Sequence, residues 1–502
     1  MKKPPRDKQR DRQRGRFVLK SLPFGLLFVL GVAIVAISVW YMACFNMEFK
    51  ELLFTMLSPL KGTGRSTVAQ ILQIVLPAVL AGLIGYAALI WLLVARLQNS
   101  RTLRRIGAGI CAGSFLFSLV FAVFALRLPG YLVTLNQQTT LYEDYYVDPD
   151  TVEITANGKT KNLICIYLES METTYASEIS GGEQPFNYMP HLTALARENL
   201  SFSDSELLGG FHSPSGTSWT MGALMGTTSG VPFSLQVLGG DNSHNSMSRY
   251  EEFAPGLTAL GDILAEHGYA QEFLCGSDAS FAGRDTYFRQ HGNYEIFDLF
   301  TARERGYIPE DYFEWWGFED AILLEIAKDE LTALAAADQP FNFTMLTVDA
   351  HHVGGYVCER CQDLYSPALA NVISCTDSLV DEFLSWCREQ EFYKDSVIVI
   401  VGDHPRMDTT LVEGLDYYER TMYNCIINAD VEVKGSTQNR VFTTFDLFPT
   451  TLAAMGFSIE GERLGLGTNL FSELPTLAEE KGYEWFNREL DKYSSYYAKH
   501  FT

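Results

Sequence analysis

The chain has 502 residues, enough for more than one domain, and its formal net charge of −23 is unevenly distributed. Residues 1–128 carry 17 Lys and Arg against 4 Asp and Glu, a net charge of +13, which leaves −36 for the rest. Nucleic-acid binding needs clustered Lys and Arg for phosphate contacts, so the acidic part is not expected to bind nucleic acid.

The basic front of the chain contains three apolar runs, at about residues 22–44, 71–95 and 106–126. Each is long enough to cross a bilayer, which takes about 20 residues. The first run is too long for a signal-peptide core, and no small-residue cleavage site stands out after it. We therefore predict a plasma-membrane protein, with an unstructured basic tail at residues 1–20 and three transmembrane helices within residues 21–128.

The distribution of Lys and Arg predicts the orientation of these helices, because cytoplasmic loops are enriched in both. The tail is basic, and the loop between the second and third runs holds four arginines and no acid: Arg96, Arg101, Arg104 and Arg105. The N-terminus and this loop are therefore expected in the cytoplasm. Three crossings then place everything after about Arg127 outside, tethered close to the outer leaflet.

Strands and helices alternate beyond a polar, aromatic connector at residues 129–160. Continuous apolar runs predict buried strands at Asn162–Leu168, Ala270–Cys275, Phe341–Val348 and Ser396–Val401. Helical patterns separate them, so we predict an α/β fold with a mostly parallel sheet and helices on both faces. This domain spans residues 161–475, and an amphipathic, aromatic helix is predicted at residues 476–502, packed on the domain or on the membrane interface.

Ionisable side chains follow these strands at their carboxyl ends, where sites form in parallel sheets. They are Glu169 after the first strand, Arg284 beyond the second, Asp349, His351 and His352 after the third, and Asp403 and His404 after the fourth. Carboxylate and imidazole groups form a mixed ligand set that suits Mn²⁺, Zn²⁺ or Mg²⁺. We expect one metal site at this edge of the sheet.

The stretch from Gly209 to Gly226 begins with Gly, Ser and Pro and ends apolar, which is typical of a loop entering a buried helix. Thr217 or Ser218 is predicted as the N-cap, where free N–H groups and the helix dipole attract phosphate. A metal lowers the pKa of a neighbouring hydroxyl and makes it a nucleophile toward phosphorus. Thr220 lies one turn after Thr217 on the same side, so either hydroxyl is a candidate.

Eight short motifs occur in a specific order and spacing between residues 161 and 472. They are Tyr167-Leu-Glu-Ser170, Gly216-Thr-Ser-Trp-Thr-Met-Gly-Ala-Leu224, Phe281-Ala-Gly-Arg-Asp285, Leu346-Thr-Val-Asp-Ala-His-His352, Val372-Ile-Ser-Cys375, Gly402-Asp-His404, Asp446-Leu-Phe-Pro449 and Leu464-Gly-Leu-Gly467. Together they resemble the lipoteichoic acid synthase and phosphoglycerol transferase family of the sulfatase-like, alkaline phosphatase superfamily. The likeness is strongest to the phosphoglycerol transferases of periplasmic glucans.

The resemblance implies that Glu169, Asp403 and His404 bind one ion, Mn²⁺ in preference to Mg²⁺ or Zn²⁺. It implies that Thr217 is both the nucleophile and the fourth ligand, through a covalent phospho-threonine. We favour Thr217 over Thr220 because the superfamily places its nucleophile about seven residues before a Leu-rich helix core.

The resemblance also implies a donor and a head-group pocket. Arg284, His351 and His352 would contact the phosphoryl or glycerol group, and His351 suits the acid that protonates a leaving alkoxide. The donor implied is phosphatidylglycerol, and the acceptor is an extracytoplasmic glycan or polymer. Two departures stand out: the chain has fewer spans than the five-helix members, and Cys275 stands where the lipoteichoic acid synthases carry a His.

Other functions share parts of this pattern. A sulfatase needs a Cys or Ser in a C/S-x-P-x-R pattern, and Ser213-Pro214-Ser215 is not followed by such an Arg. A two-metal phosphodiesterase needs further ligands, some of which Asp349 and His352 would supply. A phosphoethanolamine transferase shares the chemistry but usually carries a disulfide-rich domain and more His. A non-catalytic glycan-binding or sensor domain is the alternative from another class.

Three cysteines lie close in sequence in the outer part of the chain: Cys358, Cys361 and Cys375. On the oxidising side of a membrane, one disulfide among them is expected. The pair Cys358-x-x-Cys361 also fits zinc, although a single CxxC without a second pair is weak support for a metal site.

Overall fold

A computed structural model of the chain describes residues 6–44, 65–96, 101–158, 160–234, 252–415 and 417–502. The described residues fall into two compact units, one ending at residue 132 and the other beginning at residue 133.

The first unit consists of long apolar helices. They are α1 (Arg6–Cys44), α2 (Arg65–Arg96) and α3 (Arg101–Ala125), followed by the start of α4 (Leu128–Leu135). Three stretches are long and apolar enough to cross a membrane: Ser21–Met42, Leu72–Leu92 and Arg105–Ala125. The three predicted apolar helices are thereby confirmed, and each candidate span lies within three residues of the predicted run.

The basic tail differs from the expectation in its structure. Helix α1 begins at Arg6, so the segment from Arg6 to Lys20 is helical, whereas we expected it to be unstructured. Lys, Arg and Gln are good helix formers, and extending an existing helix avoids the cost of nucleation. Residues 1–5 of the tail lie outside the described residues.

The second unit alternates short helices with strands. Its helices are α5 (Leu141–Tyr145), α6 (Pro190–Glu198), α7 (Thr220–Ser229), α8 (Leu260–Glu266), α9 (Arg284–Gln290), α10 (Leu299–Glu304), α11 (Asp320–Ala335), α12 (Ala368–Arg388), α13 (Leu447–Ala454), α14 (Leu477–Lys481), α15 (Tyr483–Leu490) and α16 (Ser495–His500). Its strands are β1 (Ile154–Ala156), β2 (Asn162–Leu168), β3 (Ala270–Cys275), β4 (Glu295–Phe297), β5 (Phe341–Leu346), β6 (Ser396–Gly402), β7 (Asn424–Ile427), β8 (Phe457–Ile459), β9 (Arg463–Leu464) and β10 (Gly467–Thr468).

Six of these strands form one sheet in the order β4-β3-β5-β2-β6-β7, parallel except for β7. Tyr167 of β2 pairs with Leu346 of β5 on one side and with Val401 of β6 on the other. The carboxyl ends of these three strands therefore meet at one edge. This arrangement confirms the predicted α/β fold with a mostly parallel sheet.

Strand β2 is buried on both faces, as its unbroken apolar run predicts. Alternate side chains enter two separate cores: Leu163, Cys165 and Tyr167 in one, and Ile164, Ile166 and Leu168 in the other. Helices cover both faces, so polar side chains are placed at the strand ends rather than within the strand.

The two ends of this unit differ from the prediction: the connector packs against the domain, and the C-terminal segment is not a single helix. In the connector, Ile154 pairs with Ile459, and the Tyr142 ring lies 5.5 Å from Tyr497. The C-terminal segment is three short helices, α14 to α16, instead of one. Gly482 separates the first two with a φ of 86°, a left-handed conformation that favours glycine. Buried Phe486 and Tyr497 show that the segment packs on the domain.

Candidate active site

Three ionisable side chains form a buried group at the carboxyl edge of the sheet. Glu169 directly follows β2, and Asp403 and His404 directly follow β6. Nε2 of His404 lies 3.5 Å from Oε1 of Glu169 and 3.4 Å from Oδ2 of Asp403. One ligand atom from each residue lies within 4.8 Å of the others, a spacing that can hold one metal ion. The structure thus brings together the three predicted metal ligands.

Hydrogen bonds fix the two carboxylates. Oδ1 of Asp403 accepts the N–H of Ser170 at 2.7 Å and the N–H of His404 at 2.8 Å. The Ser170 hydroxyl donates to Oε1 of Glu169 at 2.7 Å, and the N–H of Glu169 donates to the Thr347 hydroxyl at 2.9 Å. The loops that follow β2, β5 and β6 are therefore tied together around the group.

The donor set fits a cation. Oδ2 of Asp403 is buried and accepts no hydrogen bond from any residue that the structure describes. Nδ1 of His404 lies 2.9 Å from the Pro405 carbonyl oxygen, which can only accept, so Nδ1 carries the proton of the neutral ring. The lone pair of Nε2 then points toward two carboxylates. Because these buried groups all offer electron pairs and no proton lies between them, a cation is needed to stabilise them. Oxygen and imidazole ligands of this kind suit Mn²⁺, Mg²⁺ or Zn²⁺.

The electrostatics of the two carboxyl groups point the same way. Burial raises the pKa of Glu169, but the nearby His351 and His404 rings, the Ser170 hydroxyl and the Arg406 charge together outweigh it and bring the net pKa below the usual value. Burial and the neighbouring Glu169 charge raise the pKa of Asp403 to about 7. Two adjacent buried carboxylates resist carrying two negative charges, and a bound divalent ion would relieve that repulsion.

Helix α7 begins one or two residues later than predicted. Its first residue is Thr220 and its N-cap is Trp219, so the predicted N-cap at Thr217 or Ser218 is wrong. Gly216 has a φ of 88°, and this turn keeps the preceding chain out of the helix. Thr217 therefore belongs to the turn and not to the helix terminus.

The threonine hydroxyl that faces the metal-binding group is that of Thr220. Its Oγ1 lies 3.3 Å from Nε2 of His404 and 3.5 Å from Oε2 of Glu169. Thr217 is fully buried, and its hydroxyl donates to the Pro214 carbonyl oxygen at 2.7 Å. The structure thus places the hydroxyl of Thr220, and not that of Thr217, next to two of the predicted metal ligands.

His351 lies close enough to Glu169 to lower the pKa of that carboxyl group. Its ring packs 4.4 Å from Trp316 and 4.3 Å from His352, measured between ring centroids. Nδ1 of His351 lies 2.9 Å from the His352 carbonyl oxygen, so the proton of the neutral ring sits there and Nε2 can exchange a proton. Burial lowers the pKa of His351, which keeps the ring mostly neutral at pH 7.

Arg284 is buried at the start of α9, and its hydrogen bonds among the described residues go to a hydroxyl and to backbone carbonyl oxygens. It donates to the Ser277 hydroxyl at 3.0 Å and to the Asp278 carbonyl oxygen at 2.8 Å. Its guanidinium carbon lies 5.8 Å from the Phe281 ring, which packs 5.5 Å from Trp316. Arg284 thus joins the site through an aromatic wall formed by Phe281 and Trp316.

A buried ion-pair network next to the site was missed by the sequence reasoning. Nε of the fully buried Arg406 donates to Asp408 at 2.9 Å, and its NH1 donates to the Ala350 carbonyl oxygen. The N–H of Arg406 donates to Glu172 at 2.7 Å, and Glu172 pairs with Arg420. The network therefore links the loops that follow β2, β5 and β6.

Proximity in sequence was the signal that could have revealed this network. Arg406 follows His404 by two residues, and Glu172 follows Glu169 by three. The positive charge of Arg406 also helps to lower the pKa of Glu169. Arg406 is thus an electrostatic neighbour of the candidate metal ligands.

Asp349 does not belong to the metal-binding group. Its N–H donates to the neighbouring Asp320 at 3.2 Å, and burial together with Asp320 raises the pKa of Asp349 far above the usual range. Within the described ranges, two groups have metal-ligand spacing, and neither contains Asp349 or His352. Among the residues that the structure describes, Asp349 and His352 thus supply no second metal group of the kind that the two-metal phosphodiesterase alternative needs.

The other group with metal-ligand spacing consists of Cys358, Cys361 and Cys375. The Cys358 sulfur lies 3.6 Å from that of Cys361 and 3.8 Å from that of Cys375. All three are free thiols, so the expected disulfide among them is not formed in the structure.

This fold and site define a class of protein. Residues 161–457, more than half of the chain, match the sulfatase family. The chain belongs to the sulfatase family.

Several proteins with similar sequences are named phosphoglycerol transferase I. Phosphoglycerol transferase I of Xanthomonas euvesicatoria pv. vesicatoria is 33% identical over 312 residues, which cover 60% of this chain and 42% of that protein. Phosphoglycerol transferase I of Xanthomonas campestris pv. campestris is 29% identical over 423 residues, 81% of this chain and 56% of that protein. The chain thus spans about half the length of these relatives. The predicted resemblance to phosphoglycerol transferases is confirmed.

A solved structure agrees with the fold. A protein of the alkaline phosphatase superfamily from Vibrio parahaemolyticus matches with a TM-score of 0.50 and 21% identity, covering 66% of this chain and 76% of that chain. Similarity at this level supports the fold, but a shared fold does not establish a shared reaction.

Proposed function

We propose that the chain is a membrane-anchored phosphoglycerol transferase. It moves glycerol phosphate from phosphatidylglycerol to an extracytoplasmic glycan or polymer. The observation that carries this proposal is the Thr220 hydroxyl, 3.3 Å from His404 and 3.5 Å from Glu169 in a buried group that fits a cation. The relatives named phosphoglycerol transferase I support glycerol phosphate as the transferred group.

Thr220 is the nucleophile in this proposal, in place of Thr217. As the first residue of α7, it lies beside backbone N–H groups that have no partner within the helix and that favour a phosphoryl anion. An Mn²⁺-like ion held by Glu169, Asp403 and His404 would lower the pKa of the hydroxyl and neutralise phosphoryl charge. Thr220 attacks as its alkoxide, after its hydroxyl proton has passed to solvent. Its oxygen bonds to phosphorus, the bond from phosphorus to the diacylglycerol oxygen breaks, and glycerol phosphate remains on Thr220.

His351 supplies and then recovers the proton. Protonated at Nε2 for this step, it gives the proton to the departing diacylglycerol oxygen. The acceptor hydroxyl next loses its proton to His351 and attacks phosphorus, and the bond between phosphorus and Thr220 breaks. Arg284 and His352 are proposed to contact the glycerol phosphate head group, with Phe281 and Trp316 as the wall of its pocket.

The membrane orientation belongs to the same proposal. The basic tail and the arginine-rich loop before α3 favour a cytoplasmic N-terminus, which places the second unit outside the plasma membrane. The three apolar spans would keep that unit close to its lipid donor.

Mass spectrometry of envelope glycans and lipids from cells with and without the chain tests this function. We expect glycerol phosphate on a glycan or polymer only when the chain is present, and not with Thr220→Val. A phosphoethanolamine mass in its place would identify the other transferase. No difference in either mass, in any fraction, would contradict catalysis and favour a glycan-binding or sensor domain.

A further inference from the structure

Three cysteine side chains from two different elements converge about one point. Cys358 and Cys361 lie in the loop that follows β5 and carries His351, and Cys375 lies in the second turn of α12. Cys358 and Cys375 are buried, and Cys361 is partly exposed. The convergence therefore links the loop that carries His351 to a helix of the core.

The spacing of the three sulfurs matches a tetrahedral metal site. With zinc–sulfur bonds of about 2.3 Å, two sulfurs on a tetrahedral zinc are about 3.8 Å apart. The observed distances from the Cys358 sulfur are 3.6 Å to Cys361 and 3.8 Å to Cys375. A disulfide instead needs about 2.0 Å between its sulfurs.

The local backbone also suits thiolate ligands. The N–H of Cys361 donates to the Cys358 carbonyl oxygen at 3.1 Å, which closes a tight turn between the two cysteines. The thiolate is the form that binds metals.

We propose that Cys358, Cys361 and Cys375 hold a Zn²⁺ ion at a second site, separate from Glu169, Asp403 and His404. Three thiolates are soft ligands that select zinc over manganese, whereas the carboxylate-rich group does not. Water would supply the fourth ligand, reaching the ion from the side of the partly exposed Cys361. Binding releases the thiol protons and fastens the loop from His351 to α12.

Cobalt substitution of the purified full-length chain tests the site, because cobalt bound to thiolates gives an intense near-ultraviolet charge-transfer band. We expect this band, and one thiolate-held zinc per chain by elemental analysis. Cys375→Ser and the milder Cys361→Ser, which alters a partly exposed side chain, should each lose both. Cys387→Ala, a buried cysteine further along α12, should keep both and serves as the matched control.

A second control separates this site from the proposed catalytic one. Asp403→Asn should leave the thiolate band intact even when transferase activity is lost, so either proposal can fail alone. Absence of the band from the folded, cobalt-loaded wild-type chain would overturn the zinc proposal. A disulfide between any two of the three cysteines in non-reduced peptides would overturn it as well.

Discussion

Replacing Thr220 with valine keeps the branched shape of the side chain and removes only its hydroxyl. The two contacts of that hydroxyl, 3.3 Å and 3.5 Å, are long for hydrogen bonds, so its loss should cost little stability. If Thr220 forms the covalent intermediate, turnover should fall by on the order of 10⁴- to 10⁶-fold.

Thr217→Val should show the opposite pattern. The Thr217 hydroxyl makes a buried 2.7 Å hydrogen bond to the Pro214 carbonyl oxygen. The Pro214 carbonyl oxygen still accepts the Thr217 N–H at 3.0 Å, so removing the hydroxyl should cost about 0.5–1.5 kcal/mol of folding free energy. Because this hydroxyl does not face Glu169 or His404, turnover should stay within about tenfold of wild type.

The assay uses the full-length chain in vesicles that contain phosphatidylglycerol, with diacylglycerol release as the measure of turnover. Mass spectrometry of peptides should find glycerol phosphate on Thr220 after rapid acid quenching. Thr220→Ser retains a hydroxyl and should keep measurable turnover. The reasoning is refuted if Thr220→Val turns over normally, or if folded, metal-loaded Thr217→Val does not turn over.

Three further predictions follow from buried charges. Asp403→Asn should abolish the rise in melting temperature that Mn²⁺ gives the wild type, equivalent to about 2.7 kcal/mol at 100-fold excess over Kd; an undiminished rise would contradict the proposed ligand. Arg406→Leu leaves the Asp408 carboxylate buried without its ion-pair partner and should lower the free energy of unfolding by about 3–5 kcal/mol. The control, Arg360→Ala, breaks an exposed pair and should cause little change in thermal unfolding measured in detergent. Burial and a neighbouring carboxylate raise the pKa of Glu272 to about 8. Between about pH 5 and pH 8 the folded chain therefore holds a proton that the unfolded chain has lost, so this group's contribution to stability falls as pH rises through that range. Glu272→Gln should flatten that slope in melting temperature against pH, and an unchanged slope would assign it to other groups.

The strands and the metal-binding group could be predicted because both depend on local pattern and simple topology. A strand covered on both faces must be apolar throughout, so its first and last residues can be read from the sequence. The predicted strand Asn162–Leu168 agrees with the structure, and Ser396–Val401 is one residue shorter than the observed strand. Parallel strands end at the same edge, so Glu169, Asp403 and His404 were expected to meet although more than 230 residues separate the first from the others.

The tertiary structure alone decided what depends on orientation and on distant partners. The sequence around Thr217 and Thr220 does not distinguish the two hydroxyls. The turn at Gly216 determines which of them faces Glu169 and His404. Cys375 joins Cys358 and Cys361 only because α12 packs against their loop. Hydrophobic periodicity shows which residues a segment buries, whereas the atoms a polar side chain meets depend on the packing of segments far apart in the sequence.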